Sequence, residues 1–175
     1  MAILRDRPYP SMNFTVDLGT GVVEGPDAGL VEVIFPESRI QVNEYRNGSD
    51  KLTEPIKTLT LTHYGNLLLR RGAMGSLNWY QWWNEARNGN PAVARNIVVQ
   101  LLDEDRTAVV LTWKFLRAMP ANYQFAPLNA LAGDTLIENL ELTFERTSPL
   151  SMMAFNWLKL PLSRFSTVIR WRNFV

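Results

Sequence analysis

The sequence predicts a mainly β domain, a sandwich or small barrel carrying one helix. Three observations point there. Apolar and polar residues alternate in many short runs separated by Gly, Pro and Asn turns. Within the body of the chain only Leu77–Asn88 reads as a helix, with Trp79, Trp82, Trp83 and Ala86 at i, i+3, i+4 and i+7. At 175 residues, with 46% hydrophobic and 20% charged content, the chain suits one ordinary globular core.

The runs can be taken in order. Asn13–Leu18 alternates with Phe14, Val16 and Leu18 on one face, and the Gly-rich stretch Gly19–Gly29 reads as loop. Leu30–Phe35 alternates again until Pro36, after which Arg39–Tyr45 is extended. Arg46-Asn47-Gly48-Ser49-Asp50 is a turn cluster, since Asn-Gly tolerates positive φ, and the polar connection on to Pro55 is longer than a tight hairpin needs. Lys57–His63 predicts a strand with Leu59, Leu61 and His63 on one face and Thr58, Thr60 and Thr62 on the other. Leu67–Arg71 continues it after Gly65-Asn66, read as a bulge.

Ser76 is placed to cap the helix, which is packed into the core by Trp79, Trp82 and Trp83, and Gly89 to end it. Asn96–Leu102 and Ala108–Phe115 flank Asp103-Glu104-Asp105-Arg106 as a hairpin. Met119–Leu131, with Pro120 and Pro127, reads as loop. Leu136–Glu145 closes the body as a strand with Leu136, Leu140, Leu142 and Phe144 on one side.

Chemistry is thinly represented. With no cysteine and a single histidine, His63, the chain has no thiol nucleophile, no His-based triad and no multi-histidine metal site. Asp103, Glu104 and Asp105 lack the spacing of a calcium loop and read as a solvated hairpin tip. Glu138 and Glu141 point to opposite faces of a strand and form no acid–base pair. Arg70 and Arg71 diverge likewise, a weak signal for phosphate. No phosphate-cradling glycine loop is present, so neither an enzyme nor a cofactor is expected.

Charge is unevenly spread. Residues 1–148 hold 14 of the 18 Lys/Arg and all 17 Asp/Glu, while Lys159, Arg164, Arg170 and Arg172 stand in the last 27 residues with no acid. A mildly acidic body with a basic tail does not suit a general nucleic-acid binder. The proline- and charge-rich start lacks the apolar centre of a secretory signal, and no run reaches the ~20 apolar residues of a membrane span. Folding in the cytoplasm, without stable membrane insertion, is the expectation.

Several segments carry a resemblance: Phe14–Asp17, Val42–Asp50, Tyr64–Gly72, Leu77–Trp83, Asn96–Asp103, Trp113–Tyr123 and Leu128–Glu145. Its most specific pieces are E-Y-R-x-G at Glu44–Gly48, Y-G-N-L-x-L-x-R-G at Tyr64–Gly72, and L-N-A…E-x-L-E-L from Leu128 to Leu142. In this order and spacing, over about residues 5–147, they resemble the inner-tube proteins of contractile phage tails and bacterial contractile injection systems.

The resemblance implies two packed antiparallel sheets with one flanking helix. It implies hexameric rings that join sheet edge to sheet edge and stack into a tube inside a sheath, with cargo or DNA held non-specifically in the lumen. The connection Arg46–Lys57, with Arg46, Asn47, Gly48, Ser49, Asp50, Lys51 and Glu54, would reach an adjacent ring. Other readings are a tube-initiating adaptor at the baseplate or spike, and, from a different class, a carbohydrate-binding sandwich using surface Trp.

Compared with that family the chain has an extension. The tube domain is placed at residues 1–148 and an apolar, basic extension at 149–175, with a short helix over Met152–Leu160 ended by Pro161. Phe155, Trp157, Leu158 and Trp171 are its expected docking residues. Packing on its own or a neighbouring subunit, docking to a baseplate or spike-side component, and a basic amphipathic membrane contact are its three readings.

Overall fold

The computed structural model describes residues 7–23, 25, 29–49, 51–131, 133–148 and 151–152. The strands are β1 (Phe14–Asp17), β2 (Glu32–Ile34), β3 (Ser38–Tyr45), β4 (Ile56–Tyr64) and β5 (Leu67–Gly72). Helix α1 (Asn78–Arg87) follows, then a 3-10 turn at Pro91–Val93. After these come β6 (Arg95–Leu102), β7 (Val109–Phe125), β8 (Ile137–Thr143), β9 (Arg146–Thr147) and β10 (Ser151–Met152).

Two antiparallel sheets share β7. In the first, β6 lies between β1 and β7, while β9 and β10 pair along the other side of β7. In the second the order is β2-β5-β8-β7. The pairing Arg95↔Ala118 ends the first sheet and Met119↔Thr143 begins the second, so one 17-residue strand crosses between layers. The crossing is marked by Arg117 at φ 53 and by a register shift between Pro120 and Asn122. A strand that changes sheets needs such a local bend.

Inward-facing residues interleave between the sheets. Val16, Ile97, Val99 and Phe115 come from the first sheet, Leu67, Leu69, Leu140 and Leu142 from the second, and all are essentially inaccessible. Helix α1 closes the core with Trp79 and Trp82, both buried. Burial of each such side chain contributes about 1.5–3 kcal/mol, which makes this alternating set the main source of stability.

Four local readings are corrected. Met119–Phe125 is strand rather than loop: Pro120 stands two residues past the last one paired with β6, where β7 is paired with β8 on one side, the kind of one-sided setting in which a strand tolerates proline. Gly65-Asn66 is a junction between sheets rather than a bulge, for β4 pairs with β3 and β5 with β2 and β8. Ser76 does not cap the helix; its carbonyl accepts from Arg71 Nη2, and the N-cap position is Leu77. Met152 belongs to β10 rather than to a helix, and the remainder of that expected helix, 153–160, lies outside the described residues. Gly89, at φ 78, donates its N–H to the Ala86 carbonyl and ends α1 as its position suggests.

Candidate assembly surfaces

β3 and β4 form a separate two-stranded ribbon that joins neither sheet. All of β3 and all of β4 except Tyr64 are exposed. Its register shifts between Ile40↔Thr62 and Val42↔Leu59. Ile40 and Val42 are two apart and share a face, so their partners Thr62 and Leu59 share it too. By the same logic His63 and Thr58, opposite Arg39 and Asn43, lie on the other face.

The clean split of Leu59 and His63 from the threonines is therefore corrected, because the irregularity inserts a residue into β4 and reverses the alternation. One face bears Ile40, Val42 and Leu59, followed by the Glu44–Lys57 ion pair at 3.5 Å. The other bears Arg39, Asn43 and Tyr45 opposite His63, Thr58 and Ile56. His63 Nε2 lies 3.5 Å from Gln41 Oε1.

The ribbon's connection contains the loop residues singled out in the sequence. Arg46, Asn47, Gly48, Ser49, Lys51 and Glu54 are all exposed, while Asp50 lies outside the described residues. Arg46 Nε donates to the Leu52 carbonyl at 3.0 Å, which folds the loop back on itself. Leu52 at its tip is 73% exposed.

The helix tryptophans occupy a different region. Trp82 Nε1 donates to the Val93 carbonyl at 2.8 Å, and the Arg95 guanidinium stacks over its ring. Trp79 lies under the Arg71 guanidinium at 4.2 Å. Trp83 is half-buried and packs against Tyr80 and Tyr123. Trp113, also half-buried, sits 4.7 Å from the Phe35 ring. Phe155, Trp157, Leu158 and Trp171 lie outside the described residues.

One feature escaped the sequence reading. Arg71 and Glu138, both on inward faces, form a buried ion pair at 2.6 Å. Arg71 Nη2 also donates to Asn78 Oδ1 at 2.8 Å, and Tyr123 donates its hydroxyl to Glu138 Oε1 at 3.2 Å. The network ties α1 to β5, β7 and β8. Burial, reinforced by the adjacent Glu138 carboxylate, pushes the Tyr123 phenol up to about 12. The signal was present: Arg71 and Glu138 continue the inward parity of Leu67–Leu69 and Leu140–Leu142. Arg70, pointing outward, bonds Glu32 at 2.6 Å and Asn139 at 3.1 Å.

The acidic hairpin is held by its own turn. Asp103 accepts from the Thr107 and Ala108 backbone N–H groups and from the Thr107 hydroxyl. No group of three acidic, histidine or cysteine side chains that could hold a metal occurs among the described residues. No helix among them is long and apolar enough to cross a membrane.

A family model, the T4-like virus tail tube protein gp19, matches residues 10–148. The chain belongs to that family. The tail tube match ends at Ser148, before β10 and the basic segment. No curated protein sequence matches the chain.

Solved structures share the tail tube fold. A chain of the anti-feeding prophage baseplate is 22% identical with a TM-score of 0.71, covering 85% of this chain and 98% of that one. A chain of the anti-feeding prophage tube-terminating cap is 21% identical at 0.72, covering 87% and 97%. One from the sheath–tube complex of the extracellular contractile injection system PVC is 20% identical at 0.70, covering 85% and 94%.

Proposed function

We propose that this tail tube protein closes into six-fold rings through its sheet edges and stacks into the inner tube of a contractile tail or injection particle. The tube is the conduit propelled through a target envelope when the surrounding sheath contracts. The role is structural, with no catalytic step and no cofactor.

The β3–β4 ribbon carries this reading. An isolated two-stranded ribbon is marginal in water. This one leaves Ile40, Val42, Leu59 and Leu61 about half exposed or more. Packing against a neighbouring subunit would cover those apolar groups and stabilise the ribbon. Strand edges add to the argument: among the described residues β1 pairs only with β6, and β2 only with β5. Closure of these edges around a ring would remove the hazard of open strands. The exposed loop from Arg46 to Glu54 is the segment we assign to contact with an adjacent ring.

The neighbours from baseplate, cap and sheath–tube assemblies match about equally well, so the initiator reading has no observation of its own. Electron microscopy of the purified protein tests the proposal. Annuli or tubes with six-fold symmetry are expected; a strict monomer at high concentration, with no rings in particles containing it, would overturn it.

A further inference from the structure

We infer that the C-terminal segment 153–175 folds back on its own subunit and fills an apolar groove at the open end of the sandwich. The groove encloses about 600 Å³ between Phe14, Leu101 and Trp113 on one side and Val31, Val33 and Phe35 on the other. It exists because the sheets are unequal: β2 has three residues, and the inward faces of β6 and β7 run on past it. Val99 on its floor is buried, whereas Phe14, Leu101 and Trp113 are only half-buried and Val31 is 64% exposed. Apolar surface of this kind gains by being covered.

The path of the chain names the occupant. The backbone of Ser151–Met152 pairs with Thr112 and Leu111, so the segment 153–175 starts from a point in the first sheet two residues from Trp113. Leu111 is the cross-strand partner of Leu101, which places the exit on the groove's rim. Phe155, Trp157, Leu158 and Leu160 then follow within eight positions, and a strand of that length spans roughly 26 Å.

Charge agrees with this path. The segment carries four cations and no acid, and the Asp103-Glu104-Asp105 tip joins β6 to β7 at the same end of the sheet. The fill is a property of one chain and holds whether or not rings form.

The absence of cysteine makes the test direct. Val31→Cys on the groove rim, Gln100→Cys on the outward face of β6 and Leu128→Cys beyond the far end of β7 each carry a benzophenone cross-linker. Each full-length variant is prepared as an equal mixture of unlabelled and nitrogen-15-labelled chains, irradiated, digested and read by mass spectrometry. From Val31→Cys, peptides of 153–175 should be the dominant partners, joined within one isotope label. They should be lost from Gln100→Cys and Leu128→Cys. Mixed-label products would assign the groove to another subunit's tail and overturn the inference. So would tail peptides arising mainly from the other two positions, or none from Val31→Cys.

Discussion

Glu138→Leu should be among the most destabilising single changes in this protein. The Arg71 side chain is 2% exposed and the Glu138 side chain 4%, at 2.6 Å. Removing the carboxylate strips the buried guanidinium of the Glu138 charge that faces it, while its contacts with the Asn78 amide oxygen, the Ser76 carbonyl and the Trp79 ring remain. Breaking a buried pair from one side costs about 3–5 kcal/mol. For a chain of this size that corresponds to a drop of about 6–20 °C in Tm, at about 2–4 °C per kcal/mol.

Arg71→Met should cost a similar amount, because the buried Glu138 carboxylate then loses the guanidinium opposite it and keeps the hydrogen bond from the Tyr123 hydroxyl. The double variant Arg71→Met/Glu138→Leu replaces both charges with apolar groups and should recover most of the loss, a strongly non-additive cycle. Urea unfolding of the three variants beside the parent gives the coupling directly. Single changes within about 1 kcal/mol of the parent, or an additive double variant, would refute the claim that this pair fastens the helix to the sheets.

Tyr123 gives a pH prediction. Burial and the adjacent Glu138 carboxylate push its phenol up from the ordinary 10.0 to about 12, so the folded state holds its proton longer. The associated stability is complete below pH 10 and is lost as pH rises from 10 through about 12. Tyr123→Phe should flatten that decline in alkaline unfolding curves, and should remove a late phase from the parent's phenolate absorbance titration. Trp82→Ala removes a buried ring and its bond to the Val93 carbonyl, and should cost about 3–5 kcal/mol by the same unfolding assay. Leu59→Asp lies on the exposed ribbon and should change monomer stability by no more than about 0.5 kcal/mol while abolishing rings in the electron microscope. Intact rings would argue against the ribbon as an assembly surface.

Period-two alternation made Val16, Val99, Leu69 and Leu140 legible as core, because an inward parity leaves a local imprint on the sequence. The Asp103–Arg106 hairpin and the Gly89 helix end were legible for the same reason, each set by neighbouring residues. Pro120 was not: whether proline breaks a strand depends on which side has a partner, and β6 ends at that point. The ribbon irregularity was equally hidden, since the threonine alternation looks regular until β3 supplies its register. Gly65-Asn66 announced a break without telling a bulge from a change of sheet. Among candidate surface residues, the loop Arg46–Glu54 was readable from its turn chemistry, and its exposure is a property of the fold. Arg71 and Glu138 sit 67 residues apart, and only the pairing of β5 with β8 brings them together.

Amide hydrogen exchange on assembled particles against dissociated chains is the most direct measure of whether neighbouring subunits complete this fold. Slowed exchange along β1, β2 and the β3–β4 ribbon in the assembled state, with the core strands unchanged, is the predicted pattern. Equal exchange of those strands in both states would contradict it.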